Sequence, residues 1–206
     1  SVSAVMKEYK EILDKFFDYF NEKGFAKEID LGKKEYFERI GRIYEDDKFF
    51  EQRMAAFFEW FCFERPAEKL GMVPFEVYFR SKENDFDQKE KESSKKLLES
   101  IWSIFLIKKQ RADEIKLQDL YDNGKYAVVT ERELFLADSK IIEARLIPAD
   151  NGRYYFSDSL FTHPAEVTKI IKKQAKSLKP ESRREFYDFI FDLGQRSLKT
   201  HRYKHL

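Results

Sequence analysis

The chain has 206 residues, of which 17% are aromatic and 37% are charged, and its formal net charge is +1. This length fits one large domain or two small ones, and the aromatic content is sufficient for a substantial core. The near-zero net charge excludes a strongly basic nucleic-acid wrapper, and no apolar run approaches the ~20 residues of a membrane span. The single cysteine, Cys62, excludes an internal disulfide and favours a reducing compartment, so we expect a cytoplasmic protein.

The first hundred residues follow helical patterns. Apolar side chains recur at helical spacing over residues 4–22 and again over 33–44, and Gly24 stands where the first helix is expected to end. Pro74 is placed to open a further helix at its first position. Residues 1–100 are therefore predicted to form a helical body.

The central element of this body is a predicted helix over residues 49–63, which carries seven aromatic rings. Two apolar stripes cover adjoining sides of this helix and leave only Glu51, Gln52 and Glu59 for water, a pattern typical of the central helix of a fold. Arg53 lies between the stripes, so we expect it to stack on a ring or to pair with a buried carboxylate. The stripes consist of Phe50, Met54, Phe57, Phe58 and Phe61 on one side and of Phe49, Ala56, Trp60 and Phe63 on the other.

The pattern then changes to short strands over residues 101–162. An apolar run over 101–107 is followed by alternating residues around Ile115, and Asn123-Gly124 predicts a type I′ hairpin. Five strands within about 60 residues favour a five-stranded antiparallel meander or small barrel, SH3-like or OB-like in size. A second hairpin is predicted at residues 150–152. In the strand over residues 141–147, inward-facing Ile142, Ala144 and Leu146 would leave Glu143 and Arg145 outside, where they could pair with a helix.

Residues 163–206 are predicted to form two C-terminal helices that pack back on the helical body, giving one α+β unit. This end of the chain carries 11 Lys and Arg against 5 Asp and Glu, a net +6, so the rest of the chain carries −5. Such a tail either forms a basic docking surface or packs against the more acidic body. In the first of these helices the face opposite to the lysines is apolar and contains Val167, Ile170, Ile171, Ala175 and Leu178.

Candidate binding residues fall into two groups. Lys169, Lys172, Lys173 and Lys176 share one helix face and either contact phosphates or form the solvated side of an amphipathic helix. In the β module, aromatic and arginine side chains suit a binding face, although the rings could equally pack on a helix. The candidates in the β module are Tyr126, Arg145, Tyr154 and Tyr155.

Evidence for catalysis is sparse, because zinc-ligand spacings, nucleophile elbows and phosphate-binding glycine loops are absent from the sequence. Asp113 and Glu114, with Lys116 close behind on a strand, loosely resemble the Mg²⁺ sites of nucleases. Asp119 and Asp122 are better explained as turn formers beside Asn123-Gly124. We predict no metal site and no cofactor.

The segments FFEWFCFERP, LQDLYDNGKYAVVTE and IIEARLIP together resemble a group of uncharacterised bacterial proteins. In that group an aromatic Trp-Phe helix precedes a small β module, and the resemblance covers roughly residues 49–157. The shared motifs are packing and turn residues, so the resemblance implies a similar architecture and no particular activity.

These observations favour a non-enzymatic binding protein whose ligand is a protein partner. The alternative is a nucleic-acid-binding protein that uses the basic C-terminal helix and the aromatic residues of the β module. A metal-dependent hydrolase or nuclease built on Glu114 is a remote alternative.

Overall fold

The structure is a computed structural model that describes residues 1–131, 134, 136 and 138–203, except for the side chains of residues 201–203. Helices stand at both ends of the chain with strands between them, which confirms the α+β prediction. The helices are α1 (Val2–Glu22), α2 (Ala26–Ile40), α3 (Phe50–Phe63), α4 (Pro74–Lys82), α5 (Gln88–Leu98), α6 (Thr168–Leu178) and α7 (Arg183–Tyr203). The strands are β1 (Ile101–Gln110), β2 (Glu114–Asp119), β3 (Lys125–Val129), β4 (Ile141–Pro148), β5 (Tyr154–Phe156) and β6 (Phe161–His163).

The first five strands close into a small barrel in the order β1-β2-β3-β5-β4, with β4 pairing back onto β1. This confirms the predicted small barrel, although one pair, β3–β5, is parallel. The reason is geometric: an odd number of strands around a closed barrel cannot all alternate in direction, so at least one neighbouring pair must be parallel. Here that pair is β3–β5. This order with one parallel closure is that of the OB fold. Strand β6 pairs with Ile141–Glu143 of β4, whereas β5 pairs with Leu146–Pro148 at the other end of β4.

Two hairpins connect strands of the barrel where the sequence predicts them. The one between β4 and β5 has positive φ at both central residues, Asn151 (61°) and Gly152 (70°), as a type I′ turn requires. The one between β2 and β3 has positive φ at Asn123 (62°) but not at Gly124. Its type I′ prediction is therefore wrong: the loop is longer, and it is closed by a 2.9 Å hydrogen bond from Asn123 N–H to Asp119 C=O.

The barrel interior is a compact apolar cluster, and its strand alternation confirms the prediction for β4. Ile142, Ala144 and Leu146 face inward, whereas Glu143 and Arg145 face the helices. Strand β4 is buried on both sides along Ile141–Ile147, because the helical body covers its outer face. The other interior residues are Phe105, Ile115, Leu117, Val128 and Leu136.

Helix α3 occupies the centre of the helical body, as its two apolar stripes predict. Its rings contact α1 through Phe61, α2 through Phe57 and α7 through Trp60. Gly32 of α2 allows the close approach of α2 to α3, since a Cβ at this position would lie 2.7 Å from a ring carbon of Phe61. Arg53 is buried, as expected.

Two details of α3 differ from the prediction. Phe58 is 37% exposed, although its ring contacts Phe17 of α1. Glu59, expected on the water side, instead faces the barrel and pairs with Arg145. The second predicted helix is also shifted: it runs over Ala26–Ile40 instead of 33–44, and Gly41, with φ of 103°, ends it.

A single apolar cluster joins residues of all seven helices with residues of β1, β4 and β6. The division into segments 1–100, 101–162 and 163–206 stays a prediction. In the part of the chain that the structure describes, none of the helices has the length and apolar character to cross a membrane.

Candidate functional site

The four predicted lysines lie together on the solvent side of α6. Lys169, Lys172, Lys173 and Lys176 are all exposed, and none forms an ion pair within the described residues. The opposite side of α6 buries Ile171 and Ala175, whereas Ile170 (55%) and Leu178 (49%) remain exposed. The buried part of the apolar face of α6 is thus narrower than predicted, since it comprises Ile171 and Ala175.

Three predicted tyrosines occupy two positions on the barrel. Tyr126 and Tyr154 are half-buried against the barrel interior, with ring centroids 5.1 Å apart, and Tyr126 also contacts Phe105. Burial, and then the nearby Asp122 carboxylate, raise the pKa of Tyr126. Tyr155 follows on β5, is also half-buried, and points to the other side of the strand. The first two rings therefore pack on each other and on the barrel interior.

Arg145 is a candidate binding residue that the structure places out of reach of a ligand. It is 1% exposed, and its guanidinium forms ion pairs with Glu64 and, at 3.4 Å, with Glu59, both on α3 or just after it. It also donates a 2.9 Å hydrogen bond to Ser100 Oγ. The physical reason is that α3 crosses the outer face of β4, so an outward residue of this strand is covered. Arg145 therefore attaches the barrel to the helical body.

A second buried ion pair, Arg53–Glu143, lies two residues before Arg145 on the same side of β4. Glu143 is 3.6 Å from Arg53 and accepts a 3.2 Å hydrogen bond from Trp102 Nε1. The Arg53 guanidinium also lies 3.8 Å from the ring centroid of Phe161, so both alternatives predicted for this arginine occur together. Burial raises the pKa of the Glu143 carboxyl, although Arg53 opposes this shift. These contacts are structural, because none of them reaches the surface.

The acidic residues considered for metal binding have other partners. Glu114 lies 3.3 Å from Arg153, and Asp119 is fully buried and accepts hydrogen bonds from Ser103 Oγ and Arg183. Asp122 accepts from Gly124 N–H, as a turn former does. Within the described ranges, no group of three or more His, Cys, Asp or Glu side chains could hold a metal ion.

Sequence reasoning missed a basic strip on the outer face of β1, β2 and β3, which we call the lysine row: Lys109, Lys116 and Lys125. Lys109 and Lys116 are directly opposite each other in the β1–β2 ladder, and all three side chains are exposed. Lys116 pairs with Ala127 on β3, which puts Lys125 on the diagonal from Lys116. The row therefore spans about 12 Å, from one direct and one diagonal step of about 5 and 7 Å.

The acid beside the lysine row on β2, Glu114, pairs with Arg153 and not with a member of the row. None of the three lysines forms an ion pair within the described residues. The residue of β3 that lies directly opposite Lys116 is the small Ala127. Like charges placed directly opposite in a ladder are destabilising. The signal in the sequence was one outward lysine on each of three successive strands, and these lysines form a row only once the register is known.

A second surface feature lies on the helical body, between α2 and α3. A groove of about 520 Å³ opens there, which we call the aromatic groove. Its floor is apolar, and its rim carries three basic residues and one acid, Asp30. The floor consists of Phe37, Ile43, Phe50 and Met54, and the basic rim of Lys33, Lys34 and Arg42.

Comparison with known proteins gives a family and little else. A family model described as "Family of unknown function (DUF7986)" matches residues 5–196. No curated protein matches the sequence. One chain of a solved structure, described as "Structure of U. maydis Replication protein A bound to ssDNA", is similar at 11% identity and a TM-score of 0.29, over 37% of this chain and 72% of that chain.

Proposed function

Since the chain belongs to this family of unknown function, its activity must be inferred from its own surface, and we propose that it is a non-enzymatic protein that binds single-stranded nucleic acid through the lysine row. The observation that carries the proposal is the like-charged, exposed pair Lys109–Lys116, neither member of which forms an ion pair within the described residues. A polyanion would turn this unfavourable pair into a favourable contact.

The fold and the chemistry of the face agree with this proposal. OB barrels bind oligonucleotides on the outer face of strands 2 and 3, where Lys116 and Lys125 lie. Fold likeness alone does not establish function, so the weight rests on the charges. A row of about 12 Å fits the backbone of one strand laid across β1–β3.

The mode of binding follows from the residues beside the row. The outward positions of β2 and β3 carry Glu114, Lys116, Gln118, Lys125, Ala127 and Val129, and none of these offers a ring for base stacking. Contact would therefore run mainly through phosphates, and such contacts carry no sequence information. We expect weak sequence preference and a strong dependence of affinity on salt.

The test is a fluorescence anisotropy titration of a labelled oligothymidylate at several NaCl concentrations. Each phosphate contact on a single strand contributes about −0.7 to the slope of log K against log salt, so three lysines predict a slope near −2. We expect Lys109→Gln/Lys116→Gln/Lys125→Gln to weaken binding at least ten-fold and to flatten this slope.

A matched control is available on α6. Lys169→Gln/Lys172→Gln/Lys176→Gln changes the net charge by the same −3 and leaves the barrel intact. Equal losses in the two variants would mean that overall charge drives binding, and a loss confined to the α6 variant would make that helix the interface. Either result, or the absence of salt-dependent binding, overturns the proposal for the lysine row.

Binding of a protein partner is a second candidate function, and the aromatic groove is the observation that favours it. A contiguous patch of exposed apolar side chains often marks an interaction site, whereas single exposed apolar side chains do not. The same lysine-row variant separates the two candidates, because it removes no residue of the groove.

A further inference from the structure

We infer that the aromatic groove between α2 and α3 receives an amphipathic helix with acidic flanks from a partner protein. This deepens the second candidate function and is independent of nucleic-acid binding by the lysine row.

The first argument is the exposure of α3 along one line. Phe50, Met54 and Phe58 recur every four residues, so they lie on one side of the helix. Phe57 and Phe61 of the same predicted stripe are 1% and 0% exposed, whereas Phe58 is 37% exposed and Phe50 and Met54 are half-buried. The line that faces the groove is thus the part of α3 that the body leaves uncovered.

The second argument is the shape and length of the apolar surface. Phe37 and Ile43, from α2 and the segment after it, form the facing wall of the groove. The apolar line continues beyond the groove, where Phe58 contacts Phe17 of α1 at 5.2 Å between ring centroids. A small ligand would fill about 520 Å³ and leave Phe58 uncovered. A helix with apolar residues at positions i, i+4 and i+8 would cover the whole line.

The third argument is charge complementarity. Lys33, Lys34 and Arg42 stand on the rim, and Asp30 is the acid among the lining residues. Lys34 is 4.0 Å from Glu38, a long contact between exposed groups, and it can readily exchange this partner. Acidic residues beside the apolar ridge of a partner helix would meet this rim, whereas basic ones would be repelled.

The experiment uses three labelled synthetic peptides of about 16 residues, long enough for four helical turns. The first has Leu at helical spacing and Glu on the flanks, the second is a scramble of the first, and the third has Lys in place of Glu. We expect the full chain to bind the first peptide at least ten-fold more tightly than the other two, measured by fluorescence anisotropy. Equal binding of the scrambled peptide, or no binding of the first, overturns the inference.

Two variants test the site. Met54→Glu places a carboxylate in the groove and should weaken the acidic peptide at least ten-fold, whereas the control Leu70→Glu, at another exposed apolar side chain, should not. Lys33 and Lys34 are both exposed, so the variant Lys33→Glu/Lys34→Glu should fold normally. We expect it to bind the Lys peptide more tightly than the Glu peptide. Retained preference for the acidic peptide in that variant contradicts the inference.

Two further results distinguish binding of a partner helix from nucleic-acid binding and from dimer formation. The lysine-row variant should bind the acidic peptide like the wild type, and Met54→Glu should bind oligothymidylate like the wild type, so either function can fail alone. If the protein forms a dimer that Met54→Glu dissociates, as measured by light scattering, then a second copy covers the groove and the partner-helix inference is wrong.

Discussion

Two outward faces of the barrel differ in how their charged residues are paired. On the β4 face, Glu143 and Arg145 are 1% exposed and each meets opposite charge on or near α3. On the β1–β3 face, Lys109 and Lys116 lie opposite each other in the ladder, and neither forms an ion pair with an acid among the described residues. Burial follows the same division, since β4 is buried on both sides and β3 only at Val128.

The difference indicates what each face contributes. Buried pairs of opposite charge fix how α3 sits on β4, because any other register would bury charges without partners. A row of like charges at the surface contributes nothing to stability and slightly opposes it. Such a cost is typical of a surface kept for binding, in line with the trade-off between stability and function. The covered face therefore holds the fold together, and the open face is the one available for ligands.

The largest effect is expected on the covered face. Arg145→Met leaves Glu59 and Glu64 buried without their cation, which should lower the free energy of unfolding by about 3–5 kcal/mol. Urea denaturation followed by circular dichroism measures this loss. Adding Glu59→Gln and Glu64→Met to Arg145→Met removes the stranded charges and should restore at least half of the stability. A loss below about 1 kcal/mol in the single variant would mean that the pairs do not hold the two parts together.

The next effect concerns pH and the same cluster. One arginine faces two buried carboxylates, so burial raises the pKa of Glu59 and of Glu64 above the ordinary 4.5 even though Arg145 opposes the shift. The folded state then binds more protons than the unfolded state above pH 4.5. The contribution of these groups to the free energy of unfolding is therefore greatest at low pH and falls as pH rises through the folded pKa values.

Glu59→Gln tests this sign, because it removes the excess carboxylate and leaves Arg145 with Glu64. Its amide oxygen can still accept the hydrogen bond that Ser159 Oγ donates to Glu59. We expect stability measured between pH 5 and 8 to depend less on pH than in the wild type, with a change of less than about 1 kcal/mol at neutral pH. A steeper decline with pH in the variant would contradict the assignment.

Features that depend on neighbouring residues in the chain could be predicted from the sequence, whereas features that depend on the packing of distant segments could not. The inward alternation of Ile142, Ala144 and Leu146 and the outward placement of Glu143 and Arg145 follow from the two-residue period of a strand. The partners of Arg145 and the facing of Lys109 with Lys116 depend on the position of α3 and on cross-strand register, which no single segment specifies. Phe58 was misplaced for the same reason: the helical period identifies a stripe but not how far its neighbours cover it.

The smallest effect is expected on the open face, and it has the opposite sign. Lys109→Glu converts the like-charged pair with Lys116 into a pair of opposite charge, which should raise the free energy of unfolding by roughly 0.2–1 kcal/mol. The same change should abolish much of the binding to oligothymidylate, because it places a carboxylate in the path of the phosphates. Thermal denaturation at low salt, with Lys172→Glu on α6 as the control, measures the gain. A variant that binds less and folds more stably would show that the lysine row costs stability and serves a ligand, whereas a loss of stability would remove the contrast between the two faces.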